Sequence, residues 1–182
     1  MAGIGHNGGP GMGGLGWRTH CWRQARARLL PTLPVEVVRL RVRRAAELGL
    51  DYRTYAGIRA STGHDLVAFL FSSNALRMMG PSPRLPQGRK AKLAALSAQT
   101  HGLASRPLSP EEMARLAPVL SATHPAPDHL GTFAQARASL RAALGPLAGD
   151  TVLLVGDHAL EAEWCAAGRL AGYLSADRFF PA

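Results

Sequence analysis

Cysteine is scarce in this chain of 182 residues: there are two, Cys21 and Cys165, far apart and in no C-x-x-C pair. That excludes a secreted disulfide framework and leaves a cysteine-based metal site without spacing to support it. Long apolar runs are also missing. The longest, Leu66 to Phe71, is far too short to cross a bilayer. The opening residues carry neither a charged segment nor an apolar core of the kind a secretory signal requires. The expectation is a soluble, cytoplasmic protein with no membrane partner. Aromatics make up only 6%, and alanine, leucine and glycine fill the space, which favours helices and short connections.

Several chemical signatures are absent as well. No G-x-x-x-x-G-K-[ST] loop occurs, and the N-terminal glycines follow no strand, so neither a nucleotide phosphate loop nor a dinucleotide fingerprint is present. No helix-turn-helix, zinc-finger, RNP or KH pattern appears. Nothing in the residue pattern predicts a metal or a cofactor. Acidic residues are few in one region above all. Residues 1–93 hold 15 bases against four acids, Glu36, Glu47, Asp51 and Asp65, whereas the rest of the chain holds six arginines and eight acids. The net charge of +9 therefore originates entirely in the first half.

What is present reads as a helix-rich α/β protein, with an α+β arrangement as the alternative. Residues 1–16 contain eight of the 20 glycines and too little apolar surface to offset ordering entropy, so they read as a flexible tail ahead of a single globular domain over 17–182. Residues 17–30 have helical spacing through Trp17, Cys21, Trp22, Ala25 and Leu29. Residues 35–48 fit a helix through Val35, Val38, Val42, Ala45 and Leu48, although Val38, Leu40 and Val42 also alternate with arginines as a strand would. The AAEL run and the Pro34 and Gly49 boundaries favour helix. A short helix is expected over 51–60.

The segment 65–71, DLVAFLF, reads as a buried strand leading into a helix over 74–79. A loop over 80–89 and a helix over 91–100 follow. Ser109-Pro110-Glu111-Glu112 marks a helix start, with Leu108 and Met113 as its apolar staple. Residues 121–131 read as loop and 132–144 as an amphipathic helix through Phe133, Ala136, Leu140 and Leu144. TVLLV at 151–155 is a second buried strand, followed by a helix over 158–171 and a weak strand or turn near Tyr173.

Ligands of α/β sheets sit beyond the carboxyl ends of the strands. Two such loops carry chemistry, Ser72-Ser73-Asn74 and Gly156-Asp157-His158. Parallel, neighbouring strands would bring Ser73 toward Asp157 and His158, a grouping with the residue types of a nucleophile, an orienting acid and a base. Without a G-x-S-x-G elbow, helix capping accounts for the same residues. His124, Asp128 and His129 could offer three metal ligands, although a solvated loop is the ordinary reading of such a set. The basic half is the feature with the simplest physical consequence. Arg18, Arg23, Arg26 and Arg28 interleave with Trp17 and Trp22, and Arg39, Arg41, Arg43 and Arg44 add to them. Such a surface attracts phosphate backbones and other polyanions by counterion release.

Two resemblances attach to particular residues. VLLVGDHALEAEWCAAGRLAG resembles the strand, Gly-Asp turn and helix found late in haloacid-dehalogenase-like hydrolases. The D-x-D nucleophile motif of that family is absent, which rules the assignment out. The opening GIGHNGGP resembles short N-terminal segments on uncharacterised proteins of alphaproteobacteria and their phages. This resemblance implies a shared peptide motif, with Gly5, His6, Asn7 and Gly8 as contacts to a protein partner. Three functions follow as expectations: a non-catalytic binder of nucleic acid or another anionic partner through the basic half; an adaptor that uses the N-terminal segment as a linear motif; and a small enzyme at the loops of Ser73, Asp157 and His158.

Overall fold

A computed structural model describes residues 33–181. The chain divides into two units, Met1–Val38 and Arg39–Ala182, and the sheet belongs to the second. The expected helix over 17–30 lies outside the described residues. Helix α1 is Val35–Glu47, so the helical reading of the arginine-rich segment holds and the strand reading does not. Ala45 and Leu48 are buried, but Val42 is exposed.

Helix α2, Tyr52–Thr62, starts at Asp51, whose carboxylate accepts from the Thr54 amide at 2.9 Å, and stops at Gly63 in the left-handed region. Strand β1 is Ala68–Ser72, every residue of which is buried. The helix expected over 74–79 is a tight turn instead, in which Leu76, Arg77 and Met78 return their amides to Ser72, Asn74 and Ser73. Helix α3, Gln87–Ala94, begins earlier and ends earlier than the sequence predicts. Residues 99–100, expected at the end of that helix, open strand β2, Gln99–Ala104. Helix α4, Pro110–Leu116, starts where expected, with the Ser109 hydroxyl accepting from the Glu112 amide at 3.1 Å. The expected loop over 121–131 contains strand β3, Ala122–Pro125.

Helix α5, Phe133–Leu144, carries a reciprocal cap between Thr132 and Gln135. Its Leu140 and Leu144 are buried while Phe133 is exposed. A short 3-10 turn leads into strand β4, Val152–Gly156, also fully buried. Helix α6 is Ala159–Gly168, the weak strand near Tyr173 is β5, Gly172–Ser175, and α7 is Ala176–Phe179.

The five strands form one sheet in the order β3-β2-β1-β4-β5, and every neighbouring pair is parallel. Seven helices and this sheet make the described part α/β. Alternation along the strands sorts the core into two layers. Phe69, Phe71, Leu153 and Val155 face residues of α1 to α4 and α7, among them Ala45, Tyr55, Leu93, Met113 and Phe179. Ala68, Leu70, Val152 and Leu154 face Leu140, Ala143 and Leu144 of α5 and Trp164 and Ala167 of α6. The chain thus moves outward from β1 through β2 to β3 with α3 and α4 on one face. It then returns to β1's other side and continues from β4 to β5 with α5 and α6 on the opposite face.

Candidate functional site at the carboxyl edge of the sheet

That change of direction falls between β1 and β4. In doubly wound sheets the connections diverge to opposite faces at such a point and open a crevice beyond the strand ends. β1 and β4 pair directly, with Phe71 opposite Val155. The two loops singled out in the sequence therefore do meet.

They meet on a residue that the sequence reading passed over. Glu161, in the first turn of α6, is completely buried. Its Oε2 accepts from the Ser72 hydroxyl at 2.9 Å, the Asp157 amide at 2.7 Å and the His158 amide at 3.2 Å. Its Oε1 accepts from the Asn74 side-chain amide at 2.7 Å. Four donors on one carboxylate satisfy its lone pairs and hold the loops after β1 and β4 together. The sequence signal was available: Glu161 stands three residues after His158, as a capping box requires, and that box is formed.

Ser73, Asp157 and His158 occupy the same edge without acting on one another. The Ser73 hydroxyl accepts from the Ser105 amide at 3.1 Å and so ties the loop after β1 to the loop after β2. His158 Nδ1 accepts from the Leu160 amide at 3.4 Å at the start of α6. No hydrogen bond joins Ser73, Asp157 and His158 among the described residues. Two adjoining clefts open beside them. The larger, about 940 Å³, is lined by Asn74, Ser105, Arg106, Pro107, Asp128 and His129 among others. The smaller, about 350 Å³, includes Ser73, Asn74, Met78, Arg106 and Glu112. Ser105 Oγ and His129 Nδ1 are buried with no hydrogen-bond partner.

The three candidate metal ligands have separate partners. His124 stacks on His101, with ring centroids 5.4 Å apart and Nε2 to Nδ1 at 3.2 Å. Burial pushes the pKa of both imidazoles below the ordinary histidine value, with His124's proximity adding to the effect on His101. His129 stacks on Trp164 at 5.2 Å, and Asp128 accepts from the Leu130 amide at 3.0 Å. No group of three or more such side chains is placed to hold a metal among the described residues.

Of the basic candidates, Arg18, Arg23, Arg26 and Arg28 lie outside the described residues, as do Gly5, His6, Asn7 and Gly8 of the proposed partner motif. Arg39, Arg41, Arg43 and Arg44 lie on α1, where helical geometry separates them. Arg39 and Arg43 stand four apart on one side, and Arg41 points away from both. Arg44 turns inward as a clamp. It donates to Asp65 Oδ2 at 3.0 Å, Glu47 Oε2 at 3.1 Å, and the carbonyls of Leu66 and Ser97 at 3.0 and 3.3 Å. Asp65 also accepts from the Tyr55 hydroxyl at 2.7 Å. Three of the four acids of this half are thereby engaged: Glu47 and Asp65 by Arg44, and Asp51 by its cap on α2. Arg41, Arg43, Arg53, Arg84 and Lys90 form no ion pair with any described residue.

Strand order, parallel pairing and helices on both faces define a doubly wound parallel α/β domain. Compared with protein families, with characterised proteins and with solved structures, the chain matches none.

Proposed function

We propose that the protein is a non-catalytic binding protein whose basic N-terminal half contacts nucleic acid. The observation that carries this reading is the state of the charges in that half. Glu47 and Asp65 are engaged by Arg44 and Asp51 by a helix cap, while Arg41, Arg43, Arg53, Arg84 and Lys90 remain without acidic partners among the described residues. Unpaired arginines on a folded scaffold release the counterions of a phosphate backbone when they meet it. The absence of a recognition motif from the sequence fits backbone contact rather than base readout. Support for a non-catalytic role comes from the loops at the sheet edge, where Ser73 and His158 are engaged by backbone amides.

Fluorescence anisotropy with labelled single- and double-stranded oligonucleotides at two salt concentrations tests the reading. Binding should weaken steeply with salt, and R41E/R43E should weaken it further. Arg44 is unsuitable for this purpose because its loss would release Asp65 and Glu47. No binding at low salt, or binding indifferent to both salt and charge reversal, would overturn the proposal.

A further inference from the structure

A second cluster of cations lies beyond the strand ends on the other side of the crevice. Arg77 follows β1, Asp177 follows β5, and these two strands flank β4. Between them and the start of α3 is a pocket of about 500 Å³, lined by Arg77, Arg89, Lys92, Asp177 and Phe180 among others. Three bases and one acid make it strongly positive.

Each base is held in place. The Arg89 guanidinium lies 4.7 Å above the Phe180 ring, yet its Nη1 is buried with no hydrogen-bond partner. A buried, unpaired guanidinium nitrogen is costly unless something accepts from it. Lys92 donates to the Phe179 carbonyl and lies 4.4 Å above the Phe179 ring, leaving further donors on its ammonium. Arg77 adopts a left-handed backbone, φ 56°, which a side chain disfavours and which sets this residue at the pocket. Its closest acid is Asp177 at 3.8 Å, a loose pair with an exposed carboxylate. Burial, then the charge of Arg77, pulls the Arg89 pKa below its ordinary value, so the two guanidinium groups repel one another. An anion between them would relieve that repulsion and supply the missing acceptor.

We propose that this pocket binds a phosphate group, with Arg77 and Arg89 as its forked donors and Lys92 adding charge. Phosphate suits the site because its several acceptor oxygens match planar guanidinium donors arriving from two sides. The group is either a free phosphate or phosphate monoester, or a phosphate of a nucleic-acid strand. The second source rests on the function proposed above, and the first does not.

The two are separable by one set of measurements on the full chain. Inorganic phosphate is titrated by calorimetry into the wild type, R89Q, R77Q and R41E/R43E, and oligonucleotide anisotropy is recorded on the same four proteins. Thermal melts confirm that each is folded. The wild type should bind phosphate. R89Q should weaken it about tenfold or more, the factor expected for losing a charged hydrogen bond. R77Q should weaken it as well, and R41E/R43E should not. If R89Q also weakens oligonucleotide binding, the pocket seats a phosphate of the strand. If oligonucleotides are indifferent to R89Q or do not bind at all, while phosphate still depends on Arg89, the pocket takes a free phosphate or monoester. Absence of phosphate binding by the wild type, or phosphate affinity unchanged in both R89Q and R77Q, overturns the pocket whatever the oligonucleotides do.

Discussion

Glu161 shows how a single side chain sets the character of the sheet edge. Its carboxylate is fully buried, and four donors from two loops converge on it. Glu161→Gln keeps the shape but replaces one acceptor oxygen by a donor that faces other donors. It should lower unfolding free energy by about 2–4 kcal/mol, the cost of breaking a buried, charged hydrogen-bond set. Urea denaturation measures this, and a change below 0.5 kcal/mol would mean that the loops are held by other contacts. Asp65 offers a pH test of a second hub. Burial alone would raise its pKa, but the hydrogen bonds from Tyr55 and Arg44, with the charge of Arg44, outweigh it and hold the carboxyl below its ordinary value. A carboxyl with a lowered folded-state pKa stabilises the fold above its unfolded-state pKa, and that contribution is lost as pH falls through the folded-state pKa. The wild type should therefore lose stability below about pH 4, the ordinary aspartate range. Asp65→Asn should be less stable at pH 7 and lose less than the wild type over the acid range. Parallel losses in the two proteins would remove Asp65 as a source of the acid sensitivity.

The elements differ in how they are specified. β1 is apolar through Phe71 and β4 through Val155, and both are buried along their length because helices cover both faces; such runs are legible without any partner. β2 and β3 have no such pattern. QTHGLA and ATHP contain few residues that favour strands, and they become strands because β1 offers an edge to β2 and β2 offers one to β3. Gly102 of β2 lies under α4, where an added Cβ would come within 2.7 Å of Met113 Cε and 2.8 Å of Leu120 Cδ1. Gly149, before β4, is tighter in kind: a Cβ there would meet the carbonyl oxygens of Gly168 and Arg169 at 2.5 and 2.7 Å. Side-chain ends can rotate away, but backbone carbonyls cannot. Gly149→Ala should therefore lower the unfolding free energy more than Gly102→Ala, by a margin of at least about 1 kcal/mol in urea denaturation. Equal losses would show that the loop before β4 yields more readily than its packing implies. The cap of α4 was read from the sequence because capping is local, and those of α2 and α5 use the same chemistry. Asp51, Ser109 and Thr132 each bond an amide three residues on, at 2.9, 3.1 and 3.3 Å.

Across the whole molecule, the sequence by itself favoured α/β over α+β and determined the two buried strands β1 and β4, most helix starts and the imbalance of charge. These follow from periodicity, capping chemistry and composition, which act over a few residues or over none in particular. It also placed Ser73, Asp157 and His158 at strand ends, since a loop after a buried parallel strand has nowhere else to go. Only the tertiary structure decided what surrounds those residues. Glu161 reaches Ser72 and Asn74 from almost ninety positions away and gathers the loops after β1 and β4 on one carboxylate. The same holds for the basic residues. Helical geometry turns Arg44 inward to Asp65, and Arg77, Arg89 and Lys92 share a pocket with Asp177 and Phe180 only once the chain has crossed the sheet to β5. Hydrogen bonds and charge pairs depend on distance in space, and the order of strands that sets those distances is written in no local stretch of the chain.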